Sequence, residues 1–236
     1  MPLRSIEQVD VQSVHRARQR LLEQRNGMTN QIRGLLLDRG IAIPQGLYPL
    51  RTSVPAILEV ADNGLTAAFR ELLSMLLQMW RQTEVAIEHL SEQLKKLAHD
   101  NESCRRLLSI PGVGPLVATA LVSAVGNASS FRHARDLSAW VGLVPRQHTT
   151  GGKPKLLGIT KRGNTYLRKL FVQGARALWV WKDKRDDPLH RWMRALGARM
   201  HPHVAVCALA NKLVRIAWAL LRKNEAVFDH VAAATV

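Results

Sequence analysis

The segment Ile110 to Pro115 reads IPGVGP and lies between two apolar stretches of helical character, and no continuous helix can pass through it. Proline has no N–H to give to a helical carbonyl, and glycine carries the largest backbone entropy cost. Two of each within five residues therefore enforce a turn. The flanks, Leu107-Leu108 and Leu116 to Val125, are apolar at helical spacing, so one helix must end there and another begin at once. Helix, IPGVGP, helix is the pattern of a helix-hairpin-helix. Gly112 and Gly114 permit the tight backbone of such a turn. Their bare amides, with the positive end of the second helix dipole, offer a place for a backbone phosphate. That grip fixes position and reads no bases. The competing reading is a plain helix–helix connection.

Charge says what the turn would hold. The 236 residues carry 34 Lys+Arg against 18 Asp+Glu, a formal net charge of +16, and nearly all of the excess lies after residue 100. A field of that size calls for a polyanion, and nucleic acid is the usual one. A solubilising surface or attraction to anionic lipid is the alternative, but the basic residues alternate with glycine loops and do not line an amphipathic helix. Charges interrupt the longest apolar stretches before the length of a membrane span, so no membrane partner is expected. The start, MPLRSIEQVD, has no signal-peptide core, and Cys104 and Cys207 lack the spacing of a zinc or disulfide pattern. A cytoplasmic protein is the expectation. The short β-branched and aromatic runs and the helical periodicities predict a mainly α fold.

Before the turn, Ile6 to Leu37 reads as one helix, and Arg39 to Leu50 breaks it with Gly40, Pro44, Gly46 and Pro49. A second long helix is expected from Pro55 to His99, with Leu72, Leu76, Met79, Ile87, Leu90, Leu94 and Leu97 near heptad spacing. It is either packed within its own domain or part of a coiled-coil arm that makes a homo-oligomer. After the turn, helices are expected over Thr165 to Trp181, with Thr165 as N-cap, Pro188 to Met200 and His203 to Lys223, followed by a frayed VAAATV tail. Trp179, Trp181, Trp192 and Trp218 read as core or helix-contact residues and not as base-stacking platforms. His201 and His203 have no evident third ligand, so no metal is placed there. Asp136, the only carboxylate between Glu102 and Asp183, would be the acid of a DNA glycosylase, but it sits where a helix starts.

The second informative block is Trp140 to Leu170, WVGLVPRQHTTGGKPKLLGITKRGNTYLRKL. Arg146, Lys153, Lys155, Lys161, Arg162, Arg168 and Lys169 fall there with no acid among them. Gly151-Gly152 and Gly163-Asn164 are turn signals flanking the short apolar run Leu156 to Ile159, a strand or a turn. Basic side chains, exposed amides and a helix start make a phosphate-binding surface. Thr149 and Thr150 are caps, phosphate ligands or a nucleophile with cations to stabilise the transition state, and His148 is the candidate base.

IPGVGPLVATAL, FRHARDLSAWVGLVPRQHTTGGK and LGITKRGNTYLRKLFVQGARA together closely resemble the transposase domain of the insertion-sequence one-ten family, DEDD-type transposases that act as RNA-guided DNA recombinases. The resemblance implies residues 1–50 as the end of a RuvC-like domain with a linking helix, 51–103 as a coiled-coil arm, and 104–236 as a helical transposase domain. That domain would carry the helix-hairpin-helix and the basic glycine-rich loop. It implies strand cleavage and rejoining through a covalent protein–DNA intermediate, with element-end and target DNA and a structured guide RNA as partners. Magnesium would be held by four acidic residues whose motifs belong upstream of residue 1, so the chain reads as N-terminally truncated. The family's serine nucleophile maps to His148–Lys153, where this chain has threonines, and Thr150 directly before the glycine pair is the matching position. No serine follows Ser138. The nucleic-acid-binding set is Gly112, Gly114, Arg146, His148, Gly151, Gly152, Lys153, Lys155, Lys161, Arg162 and Arg168. The runner-up is a non-catalytic nucleic-acid-binding and dimerisation remnant of such an enzyme.

Overall fold

The computed structural model describes residues 5–223 and Phe228. Among them the chain forms nine helices and one two-stranded antiparallel sheet, so the expected mainly α fold is observed. The expected frayed VAAATV tail lies outside the described residues. The chain divides into two compact units: residues 13–93, and residues up to Gln12 with those from Leu94 onward.

Helix α1 (Ile6–Leu37), most of which lies in the first unit, is continuous, as its periodicity predicts. The single helix expected from Pro55 to His99 is instead two, α2 (Leu47–Glu59) and α3 (Ala67–Asp100). The break falls at Asn63-Gly64. Gly64 takes a left-handed φ of 72°, and the Asn63 amide donates to the Ile57 carbonyl at 2.7 Å. The Arg70 guanidinium then donates to the carbonyls of Leu58 at 3.0 Å, Val60 at 2.7 Å and Ala61 at 3.0 Å, satisfying groups that a helix end leaves bare.

The expected seam of α3 is kept at Leu76, Ile87 and Leu94, which are buried, while in its first turns the buried face is rotated from the expected one. Leu72 and Met79 are 38% and 48% exposed, whereas Phe69, Leu73, Leu77 and Trp80 are buried with Ile32, Leu36, Leu50 and Val54. One residue rotates a helix face by about 100°, and both stripes are apolar, so composition does not choose between them. Polar groups on the inward side are paired. Trp80 Nε1 donates to Thr29 Oγ1 at 2.9 Å, Glu84 accepts from Arg25 at 3.0 Å and Arg51 at 2.7 Å, and Arg18 Nε donates to Ser91 Oγ at 2.7 Å. The first half of α3 therefore packs within its own unit.

His15 on α1 is buried, and burial pushes its pKa down from 6.5 to about 4, with the nearby Arg18 charge adding to the effect. The unfolded chain binds the His15 proton more readily, so between those values stability rises with pH. The contribution is complete above pH 6.5 and about 3 kcal/mol of it is lost as pH falls through 4. Urea unfolding from pH 7 to pH 4 is expected to show that loss in the native chain and a flatter profile in His15→Gln.

The second unit holds α4 (Glu102–Leu108), α5 (Pro115–Val125), α6 (Ala134–Val141), β1 (Pro145–Thr150), β2 (Lys153–Ile159), α7 (Thr165–Trp179), α8 (Pro188–Gly197) and α9 (Pro202–Arg222). Helix α9 packs on α4, α6, α7 and α8. It is long and apolar enough by composition to cross a membrane, but 61% of that stretch is buried inside the fold, where it serves as the central core helix. Two expected bounds shift: α7 stops at Trp179 and α8 at Gly197. The N-cap of α7 is Asn164, not Thr165, because the Asn164 side chain accepts from the Leu167 amide at 3.0 Å. Asp136 accepts from the His133 amide at 2.8 Å and so caps α6. Cys104 is buried in the core, and burial pushes its thiol up to about 12, far from a reactive thiolate. Trp179, Trp192 and Trp218 pack against the core, and Trp218 Nε1 donates to the Phe131 carbonyl at 3.1 Å. Trp181 departs from the expectation for all four: it is 58% exposed, because α7 ends before it.

Candidate nucleic-acid interface

The turn between α4 and α5 is anchored by buried Ile110 and Val113. Its two glycines serve different ends. Gly112 has φ 82°, and a Cβ there would lie 2.9 Å from the Gly174 carbonyl oxygen; a Cβ on Gly174 would lie 2.0 Å from the Gly112 carbonyl oxygen. Gly112 is therefore bare because the turn lies directly against α7. Gly114 faces open space and acts as N-cap of α5 without a side-chain cap. Pro115 opens α5 at a position that needs no N–H. Among the described residues the amides of Gly112, Gly114 and Leu116 donate to no internal acceptor. Free amides at a helix start are the donors a phosphate requires.

The glycine-basic block forms a hairpin. β1, unforeseen in PRQHTT, pairs antiparallel with β2, and Gly151 and Gly152, with φ of 60° and 74°, make the tight turn between them. Positive φ at both central residues is the geometry that matches strand twist, and it selects glycine. Every residue of β1 is exposed. Thr150 pairs with Lys153 and His148 with Lys155. Directly opposed residues share a face, so one face carries a hydroxyl, an imidazole and two ammonium groups. Thr150 Oγ1 and His148 Nδ1 are 3.3 Å apart. Thr149 lies on the opposite face, where Gln147 Nε2 donates to its hydroxyl at 3.1 Å. The register thus places Thr149 and Thr150 on opposite faces of the hairpin. Arg146, also exposed, sits where the register shifts between Pro145 and Gln147.

The hairpin has a closely packed foot. After α6 the chain turns at Gly142 (φ 83°), and the segment returning from β2 passes so close that a Cβ on Gly142 would lie 1.8 Å from the Arg162 carbonyl oxygen. A Cβ on Gly163 would lie 1.9 Å from the Trp140 carbonyl oxygen. Backbone bonds Lys161 N to Gly142 O (3.2 Å), Asn164 N to Trp140 O (3.1 Å) and Thr160 N to Val144 O (2.9 Å) close the contact. Asn211 of α9 donates to the Leu143 carbonyl at 3.2 Å. Arg168 belongs to this foot: its guanidinium donates to the carbonyls of Val141 at 3.0 Å and Arg162 at 3.1 Å and to Thr165 Oγ1 at 3.1 Å. Arg162 and Lys161 are exposed, and Lys161 holds a left-handed φ of 57° that a side chain rarely adopts. Gly142, absent from the sequence-derived set, was marked only by being a glycine just past a helix end.

The residues described around the hairpin do not fit a magnesium site. Among the described residues no three His, Cys, Asp or Glu side chains converge, and the hairpin face is cationic. What the arrangement can do is hold phosphate and present a hydroxyl next to a proton acceptor, given the imidazole tautomer with Nδ1 unprotonated.

The family model for the transposase IS116/IS110/IS902 family matches residues 104–191, a span that includes both the α4–α5 turn and the hairpin. The chain is 41% identical over 94% of its length to the transposase for insertion sequence element IS1111A of Coxiella burnetii, covering 61% of that protein. It is 39% identical over 95% of its length to a probable family 20 transposase of Pseudomonas aeruginosa, covering 67% of it. With the transposase for insertion sequence element IS1328 of Yersinia enterocolitica it shares 37% identity over 91% of its length, covering 64% of that protein. The chain thus spans about three fifths to two thirds of the length of these relatives. With the turn, the glycine hairpin and the basic loop inside the matched span, the chain belongs to the IS116/IS110/IS902 family of transposases.

Proposed function

We propose that this chain carries the strand-transfer half of a DNA transposase, cleaving and rejoining DNA through a covalent intermediate on Thr150. The observation that carries the reading is the 3.3 Å approach of Thr150 Oγ1 to His148 Nδ1 on a hairpin face shared with Lys153 and Lys155. In the first step Thr150 Oγ forms a bond to a backbone phosphorus and its proton passes to His148 Nδ1. The bridging P–O bond breaks, and its electron pair stays on the departing deoxyribose oxygen, which takes a proton from solvent. Lys153 and Lys155 offset the charge of the pentavalent transition state. Rejoining is the reverse, with the hydroxyl of another strand as the attacking group.

The α4–α5 turn acts in this reading as a helix-hairpin-helix that fixes the DNA backbone through Gly114, while Gly151 and Gly152 let the backbone of the hairpin tip come close. Arg146, Lys161 and Arg162 neutralise further phosphates. A structured guide RNA, a magnesium-binding acidic domain and a homo-oligomer belong to the whole enzyme by family resemblance.

The test is a trapping reaction with element-end DNA, guide RNA and magnesium, with and without the RuvC-like domain of a longer relative. A protease-sensitive adduct that survives a denaturing gel is the expected result. DNA binding without an adduct under every condition rejects the chemistry. At Lys161 fold and function pull in opposite directions. Lys161→Gly relieves a left-handed backbone and is expected to stabilise the chain by about 1 kcal/mol. The same change is expected to lower the salt slope of DNA binding by about one, since one phosphate contact is lost. Urea unfolding and salt-titrated binding measure the two.

A further inference from the structure

A cleft of about 630 Å³ opens beside the α4–α5 turn, lined on one side by Pro111, Gly112 and Gly114 and on the other by Trp181, Lys184 and Arg185. That volume lies in the range of small-ligand sites. The connector from α7 to α8 is held in place from below: Arg194 donates to the carbonyl of Arg185 at 2.7 Å and to that of Lys182 at 3.3 Å. Its acids are all engaged elsewhere. Asp183 pairs with Lys182 at 2.6 Å, Asp186 pairs with Arg191 and Arg194, and Asp187 caps α8 and accepts from His190 Nδ1 at 2.8 Å. Among the described residues Lys184 and Arg185 have no carboxylate partner, and both are exposed at the cleft. The large apolar ring of Trp181, 58% exposed, stands at the same opening.

An exposed indole is costly in water, and two cations next to it with free backbone amides opposite do not suit an apolar partner. An aromatic face beside cations is the arrangement that takes an unpaired base together with its phosphate. We infer that this cleft is a subsite for one unpaired nucleotide of a DNA strand. The base stacks on Trp181, and the phosphate lies between Lys184, Arg185 and the amides of Gly112 and Gly114. The inference rests on the DNA-binding reading above and adds a preference that the hairpin grip lacks: a duplex keeps its bases stacked and cannot offer one to Trp181. The DNA assignment follows from the chain's membership in a transposase family, and RNA is an outcome of the test.

The test is fluorescence anisotropy of the whole chain with a labelled twelve-nucleotide thymidine strand, the matching uridine strand and a blunt mixed-sequence duplex. Trp181→Ala is expected to weaken binding of the thymidine strand about tenfold or more, the size of one lost base stack, and Trp181→Phe to restore most of it. Duplex binding is expected to move by less than about twofold. Lys184→Ala with Arg185→Ala should reduce the salt slope on the single strand by about 1.4. Equal effects of Trp181→Ala on single strand and duplex, or none on either, overturn the subsite. Tighter, Trp181-dependent binding of the uridine strand overturns its assignment to DNA. A native chain that binds none of the three probes defeats the underlying DNA-binding reading instead, so the two failures are distinct. Trp181 is a surface residue, and an unchanged unfolding midpoint in each variant checks that the fold is kept.

Discussion

Thr150→Ala is expected to abolish the protein–DNA adduct, lowering its rate of formation by at least about a thousandfold, the scale set by loss of a covalent nucleophile. Thr149→Ala, its neighbour, is expected to stay within about twofold, as an ordinary surface substitution does. The two residues share chemistry, exposure and the same turn. They differ in register. Thr150 opposes Lys153 and meets His148 at 3.3 Å, while Thr149 is on the other face, bonded to Gln147. Thr150→Ser keeps the hydroxyl, removes the crowding methyl and is expected to retain or raise the rate. The gel-shifted adduct measures all three. Equal loss in Thr149→Ala and Thr150→Ala would reduce the hairpin's role to its shape.

The second large effect is on stability. Gly163→Ala combines a left-handed φ of 89° with a Cβ placed 1.9 Å from the Trp140 carbonyl oxygen, so backbone must move. Conformational strain of about 1–2 kcal/mol and overpacking of about 1–3 kcal/mol together cost about 2–5 kcal/mol, a large part of the stability of a domain this size. The melting midpoint should fall by about 10 °C. Gly158→Ala is the control: a Cβ there meets nothing within 4 Å and its φ is ordinary, so little change is expected. A Gly163→Ala chain that melts like Gly158→Ala would mean that the hairpin foot is not the tight contact described.

Much of this was legible in the residues, and the exceptions have physical reasons. The helices announce themselves by periodicity, and the α4–α5 turn by its prolines and glycines. The break between α2 and α3 was signalled by Asn63-Gly64, but a strong apolar period on both sides concealed it. Rotation of the buried face in the first turns of α3 was not legible, since Leu72 and Leu73 are the same residue type and only burial against Ile32 and Leu36 tells them apart; further along, Ile87 and Leu94 are buried as their spacing predicts. PRQHTT has no apolar alternation, so β1 depends on its partner strand and the Gly151-Gly152 turn. Arg168 sits in a basic block and resembles a phosphate ligand in sequence, yet three internal acceptors hold its guanidinium. Gly112 looks like an open phosphate cradle, whereas Gly174, sixty-two positions on, is what it touches. Pairings of that kind require the fold.

The most direct measurement is tandem mass spectrometry of the trapped adduct after nuclease and protease digestion. The account predicts a nucleotide mass on Thr150, in the peptide that also contains His148. A nucleotide on Thr149 or on any other side chain, or a reaction that joins DNA with no modified peptide at all, would contradict it.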